Sequence, residues 1–117
     1  MLEAIVAVGN QGQIGLNGVL PWHDKSDLKW FREMTMGKTL IVGTKTAETL
    51  PPLPGRNVVI WNRENLPEVL RMDAIVIGGS KTYELFAPHI KRWHVGRIDY
   101  DGPADAWFNP MWMINNK

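Results

Sequence analysis

Four short apolar runs, three of them stopped by glycine, constrain this chain more than any other feature. Residues 4–8 end at Gly9, 39–42 at Gly43 and 74–77 at Gly78-Gly79; the run 57–61 ends at the polar loop 62–65. Runs this short and almost wholly apolar suit strands covered on both faces, as in a parallel sheet. Helical segments lie between them: 66–72, begun by Pro67 in its first turn, and 81–86, stopped by Pro88. Residues 93–99 alternate, with Trp93, Val95 and Ile98 apolar, and read as a fifth strand; 106–108 add a brief sixth. Strands alternating with helices imply an α/β fold, a three-layer α/β/α sandwich around a mainly parallel sheet of six strands or fewer. Open sheets of this kind bind ligands at the carboxyl ends of their strands. On this reading those ends carry the segments of Gly43, Arg56 and Gly78-Gly79.

The 117 residues suit one domain, 1–117. Thirteen basic and 12 acidic side chains leave a charge of +1, which argues against a general nucleic-acid binder. The absence of cysteine excludes disulfides and thiolate metal sites. The opening MLEAIVAVGN has an acid at Glu3 and no basic n-region, unlike a signal peptide. No apolar run approaches the ~18 residues of a membrane span. The expectation is a soluble, cytoplasmic protein without a metal, whose partner is a small molecule rather than nucleic acid or membrane.

Residues 15–36, GLNGVLPWHDKSDLKWFREMTM, form the stretch the rest serves. A glycine-rich loop passes through Leu20, Pro21 and Trp22 and becomes a helix capped by Asp24 or Ser26 and closed by Gly37. Asp27, Phe31 and Met34 recur at i, i+4 and i+7 and share a face; Leu28 and Trp30 flank it, and Lys29, Arg32 and Glu33 face water. An acid among apolar walls keeps its proton nearer neutrality and can relay it. The alternative is a first-turn acid facing the helix dipole. Gly43 followed by Thr44, Lys45, Thr46 and a short helix, 47–50, suits an anion, because free N–H groups and a cation converge there; a plain strand-to-helix turn is the other reading. After the rigid loop Pro51-Pro52-Leu53-Pro54-Gly55, Arg56 either offers its planar fork to a carboxylate or is a surface residue. Gly78-Gly79 lets backbone approach a ligand closely, ahead of another helix N-terminus.

Taken together, IVAVGNQGQIGLNGVLPW, SDLKWF, KTLIVGTKT, LPGRNVVIWNRE, IVIGGSKTYELFAP and RIDYDGPADAWF resemble dihydrofolate reductase, in the family's order and over nearly the whole chain. The resemblance implies a reduced fold of that family. It also implies NADPH-dependent reduction of 7,8-dihydrofolate: hydride to pterin C6, proton to N5. It makes Asp27 the catalytic acid, Trp22 the residue that orders water beside it, and Leu20 part of a mobile loop over the nicotinamide. Ile5, Phe31, Leu50, Leu53 and Ile77 would line the folate slot, with Leu28 nearby. Arg56 would grip the glutamate α-carboxylate, and Arg32 would reach the same tail. Ala7, Ile14 and Gly15 would contact the nicotinamide. Gly43, Thr44, Lys45 and Thr46 would hold phosphates. Gly78, Gly79, Ser80, Lys81 and Thr82 would cradle the pyrophosphate, with Tyr83 toward the nicotinamide. Lys45 and Arg63, with Asn62 beside them, fall where the family binds the adenosine 2′-phosphate.

The chain also departs from that pattern. The family continues into a long hairpin after the region of Asp105, and Gly96 stands where it has a threonine that bonds the pterin and the acid. The segment 61–74 is compressed, so a strand on the adenosine side is expected to be missing. The Trp- and Met-rich tail (Trp107, Met111, Trp112, Met113) either folds back over the gap or pairs with a second copy, and burial in so small a domain favours the homodimer. Two rival functions remain: a riboflavin-pathway reductase of the same fold, and a weakly active or non-catalytic binding or assembly module.

Overall fold

The computed structural model describes residues 1–114. Its elements are β1 (Leu2–Val8), β2 (Gln13–Gly15), α1 (Lys25–Thr35), β3 (Thr39–Val42), α2 (Thr44–Thr49), β4 (Asn57–Ile60), α3 (Leu66–Val69), β5 (Ala74–Gly78), α4 (Ser80–Phe86), a 3-10 turn (Ala87–His89), β6 (Ile90–Arg97), β7 (Ala106–Trp107) and α5 (Met111–Ile114). Five strands form one sheet in the order β4-β3-β5-β1-β6, with every pairing parallel. β2 and β7 form a separate antiparallel ribbon.

The period of two in each strand sorts its side chains between the sheet's faces. Leu2, Ala4, Val6 and Val8 of β1, Ile41 of β3, and Ala74 and Val76 of β5 join Val69 of α3, Phe86 of α4 and Ile90 in the larger core. The intervening residues Ile5, Leu40 and Ile75 meet Trp30, Phe31 and Met34 of α1 on the other face, with Leu53 and Ile77. Helices therefore flank a mostly parallel sheet, as the apolar runs require.

Several elements differ from the sequence expectation. Gly15 sits in β2 rather than in a free loop, because Asp105 N–H reaches its carbonyl and β7 pairs with it. Asp24, not Ser26, caps α1: its carboxylate accepts the Asp27 N–H at 2.9 Å. Gly37 follows the helix at φ +76°, where a side chain would be strained. α2 begins at Thr44 rather than at residue 47, so Thr44, Lys45 and Thr46 form its first turn, with Ala47 N–H bonded to Gly43 O. β6 starts three residues early, at Ile90, and stops at Arg97. Trp30 packs inward instead of flanking the stripe, and Thr35 is buried with its hydroxyl donating to Phe31 O. The tail folds back at Trp112, which is buried, while Met111 and Met113 remain exposed.

Candidate active site

α1 carries the acid. Asp27 lies in its first turn on the sheet-facing side and is only 9% exposed. Burial holds its carboxyl above the ordinary value of 3.8; contact with the Trp22 indole pulls it partly back, and the Asp24 carboxylate pushes it up again. The Trp22 Nε1–H is itself buried and has no partner at hydrogen-bond geometry among the described residues. A buried donor beside a carboxylate is an opening for one water or one ligand atom. Trp22 is braced from behind by Tyr100, with ring centroids 5.4 Å apart.

Beyond Asp27 the same face of α1 continues through Phe31 and Met34 to Thr35. Arg56 ends the line. Its Nη1 donates to Thr35 Oγ1 at 3.2 Å and its Nε to Pro54 O at 3.1 Å, which aims the rest of the fork outward. Asp27 and Thr35 are eight positions apart, so the helix axis rises roughly 12 Å between them. Ile5, Phe31, Leu53 and Ile77 belong to the apolar cluster packed beside α1, with Leu50 half-buried at the end of α2. Leu20, Leu28 and Arg32 are exposed at the rim. One expectation needs correction: Arg56 immediately precedes β4, so it stands at that strand's amino end rather than a carboxyl end. It reaches the groove through Thr35, from the far end of α1.

The carboxyl ends of β3 and β5 supply a second, polar region. Gly43 N–H donates to Gly78 O at 2.9 Å, joining the two glycine turns. They pack so closely that a Cβ at Gly79 would lie 2.7 Å from Thr46 Oγ1, and one at Gly43 would lie 2.5 Å from Thr82 Oγ1. Thr82 is buried, and its hydroxyl accepts the Trp61 indole N–H at 2.9 Å. Its side chain therefore braces the turn, and its own O–H is still able to donate. Thr44, Lys45, Asn62, Arg63 and Lys81 are exposed, and Ser80 is half-buried. Among the described residues none of these cations is in an ion pair. They are free to meet an anion. Ala7, Ile14 and Gly15 are half-buried between the two regions. Tyr83 is fully enclosed, which pushes its phenol up; the hydroxyl donates to Ile5 O at 2.7 Å.

The loop carrying Leu20 crosses between these regions and is held from both sides. Asn17 N–H donates to Asp105 Oδ2 at 3.0 Å, and Thr49 Oγ1 of α2 donates to Gly18 O at 3.1 Å. Asp105, Thr49, Trp30 and Thr35 escaped the sequence reading. Only Trp30 left a trace there, as an aromatic one turn from Asp27. Behind the acid, an open cleft of about 320 Å³ runs between α1 and β6, lined by Asp24, Asp27, Trp30 and Gly96. A Cβ at Gly96 would come within 2.8 Å of the Trp30 ring, so the indole occupies the room a side chain there would need.

A mostly parallel sheet, two joined glycine turns with exposed cations, and a buried acid beside an apolar cluster make up the candidate site. The family model for dihydrofolate reductase matches residues 1–116. The chain is 36% identical to the dihydromethanopterin reductase of Methylorubrum extorquens, over 97% of this chain and 93% of that one. It is 35% identical to the dihydrofolate reductase of Mycobacterium tuberculosis, over 91% of this chain and 76% of that one. A structure of the Enterococcus faecalis dihydrofolate reductase complexed with NADP(H) and RAB-propyl superposes with a TM-score of 0.77 at 30% identity, covering 93% of this chain and 77% of that one. The chain belongs to the dihydrofolate reductase family.

Proposed function

We propose that this protein is an oxidoreductase that uses NADPH to reduce 7,8-dihydrofolate to tetrahydrofolate. The observation that carries this reading is the pairing of a buried acid, Asp27, with an outward-aimed guanidinium, Arg56, at the two ends of one apolar slot. The residues fit the cofactor: Lys45 and Lys81 follow the two glycine turns and Arg63 follows β4, none of them in an ion pair among the described residues, and a 2′-phosphate left without such partners would be costly to desolvate. When bound, NADPH supplies the hydride, delivered from nicotinamide C4 to pterin C6. Asp27 bonds the pterin's amino group and ring nitrogen, and its raised proton affinity favours a proton close to N5. The Trp22 N–H holds the water that connects them. Ile5, Phe31, Leu53 and Ile77 keep the ring flat and dry, and Arg56 takes the carboxylate of the substrate's tail.

One observation favours a second substrate, dihydromethanopterin. The match to the reductase of that name spans nearly all of both chains, whereas the match to the M. tuberculosis dihydrofolate reductase leaves about a quarter of that enzyme uncovered. Loss of NADPH absorbance with each pterin, with and without an antifolate, tests both readings. Turnover with dihydrofolate that an antifolate blocks supports the first; turnover with dihydromethanopterin alone replaces it with the second. Arg56→Leu is expected to raise the KM for dihydrofolate about tenfold while sparing a pterin that lacks the glutamate. Equal loss for both would remove Arg56 from the tail site. The reading includes a homodimer, supported by the apolar surface that Trp107, Met111, Met113 and Ile114 present to solvent. A monomeric mass at every concentration in sedimentation would exclude it.

A further inference from the structure

Trp112 is only 4% exposed, and it lines an open cleft of about 360 Å³ together with Ser80, Lys81 and Glu84 at the start of α4. Its ring stacks on Trp93, with centroids 6.0 Å apart and planes 14° apart, and meets Phe108 edge-on at 5.2 Å. It also lies against Tyr83 at 5.7 Å, and its Nε1–H donates to Glu84 Oε1 at 3.1 Å. α5 therefore grips α4 at two consecutive residues, by the ring of Tyr83 and the carboxylate of Glu84. Tyr83 carries that grip into the groove. Its hydroxyl holds Ile5 O, and a Cβ on Gly78 would sit 3.5 Å from the same hydroxyl. Ile5 belongs to the slot wall and Gly78 to the glycine turn. One phenol thus bonds β1 at Ile5 and fills the space a side chain on Gly78 would enter, and Trp112 is packed directly against it.

We infer that Trp112 is a positioning residue for the reduction. Acting through Tyr83, it fixes the separation between β1 at Ile5 and the Gly78-Gly79 turn, and with it the distance across which hydride donor and pterin face each other. The inference rests on the reductase reading above. Its physical ground is that reacting atoms must be held at near-contact separation, where a displacement of about 1 Å can cost up to about a hundredfold in rate. A tryptophan that served stability alone would change the unfolding midpoint and leave turnover of the folded fraction untouched.

The experiment compares NADPH oxidation with dihydrofolate by wild type, Trp112→Ala, Trp112→Phe, Tyr83→Phe and the double variant Trp112→Ala/Tyr83→Phe. Trp112→Ala is expected to lower kcat about tenfold, while the KM for dihydrofolate moves less than about threefold. Tyr83→Phe should fall by a similar factor, and the double variant should be no worse than the poorer single one, because both act through one contact. Trp112→Phe keeps a ring against Tyr83 and should bring kcat back to within about two- to threefold of wild type. It should also lose the exciton couplet that the Trp93–Trp112 stack gives in circular dichroism. Wild-type kcat in folded Trp112→Ala, or losses that multiply in the double variant, would overturn the inference and leave the reductase reading intact. A wild type that oxidises NADPH with neither pterin would overturn that reading and the inference with it. Should Trp112→Ala fail to fold, Glu84→Gln and Trp112→Phe carry the test. Each is expected to lower kcat about two- to threefold, and unchanged kcat in both overturns it.

Discussion

The two faces of the sheet are built to different standards. On the face of α3 and α4, side chains from four strands and three helices are buried, from Leu2 through Phe86 to Trp112, with a rim of partly buried ones such as Val59, Leu66 and Trp93. On the face of α1, only Ile5, Leu40 and Ile75 are buried outright, and Trp30, Phe31, Met34, Leu53 and Ile77 remain partly open. Leu20 and Leu28, 46% and 47% exposed, extend that apolar surface to the rim. A slot for a flat heterocycle needs apolar surface that is not already satisfied, and such a surface cannot also be the main source of stability. The closed face carries the stability and holds the strands still. The open face spends little on packing, and the buried acid stands there.

That division has consequences that can be measured. The largest concerns Asp27→Asn, which removes the buried acid and is expected to lower kcat at neutral pH by about a hundredfold or more while NADPH still binds. Unchanged turnover would dismiss Asp27 as the proton's route. The same variant tests the contrast from the side of stability. Folding raises the carboxyl's affinity for its proton above the ordinary value of 3.8. Its contribution is therefore fully present below that value and is lost as pH rises through the raised one. Asp27→Asn is thus expected to raise the urea midpoint at neutral pH, and to change it little below about pH 3.5. A drop at neutral pH would contradict the sign.

Next comes a matched pair of truncations. Phe86→Ala, on the closed face, is expected to cost about 3–5 kcal/mol in denaturant unfolding. Phe31→Ala, on the open face, should cost about 1–2 kcal/mol and raise the KM for the pterin instead. Equal costs would erase the distinction between the faces. The smallest effect belongs to the loop between them. Asp105→Ala removes the acceptor for Asn17 N–H and is expected to speed ligand release about two- to threefold, read by stopped-flow fluorescence, with little change in stability. No change in release would show that the tether does not hold the loop.

Much of this was legible in the residues, because glycine-stopped apolar runs report the buried parallel strands β1, β3 and β5 directly; the fourth run, without such a stop, is the edge strand β4, whose Asn57, Val58 and Ile60 are exposed rather than covered on both faces. β2 was not, since three residues cannot show a period and its partner β7 lies some ninety positions away. Arg56 was grouped with the carboxyl-end segments although the run 57–61 already put it ahead of its strand; its contact with α1 runs through Thr35, a residue with no motif around it. Thr82 reads as one more polar residue after two glycines, and only packing shows that Trp61 claims its hydroxyl. Asp27 was legible as an acid on an apolar face, but whether it faced core or solvent depended on the tilt of α1 against the sheet.

The placement of two indoles makes the molecule its own optical instrument. Trp22 stands at the acid's end of the groove with its N–H unclaimed, and Trp61 stands beside the glycine turns with its N–H committed to Thr82. Emission from the first should respond to whatever displaces water near Asp27, and emission from the second to occupancy at the opposite end. Variants retaining one or the other as the sole emitter near the groove would register pterin and dinucleotide on separate channels, and would reveal the order of their arrival without any attached dye.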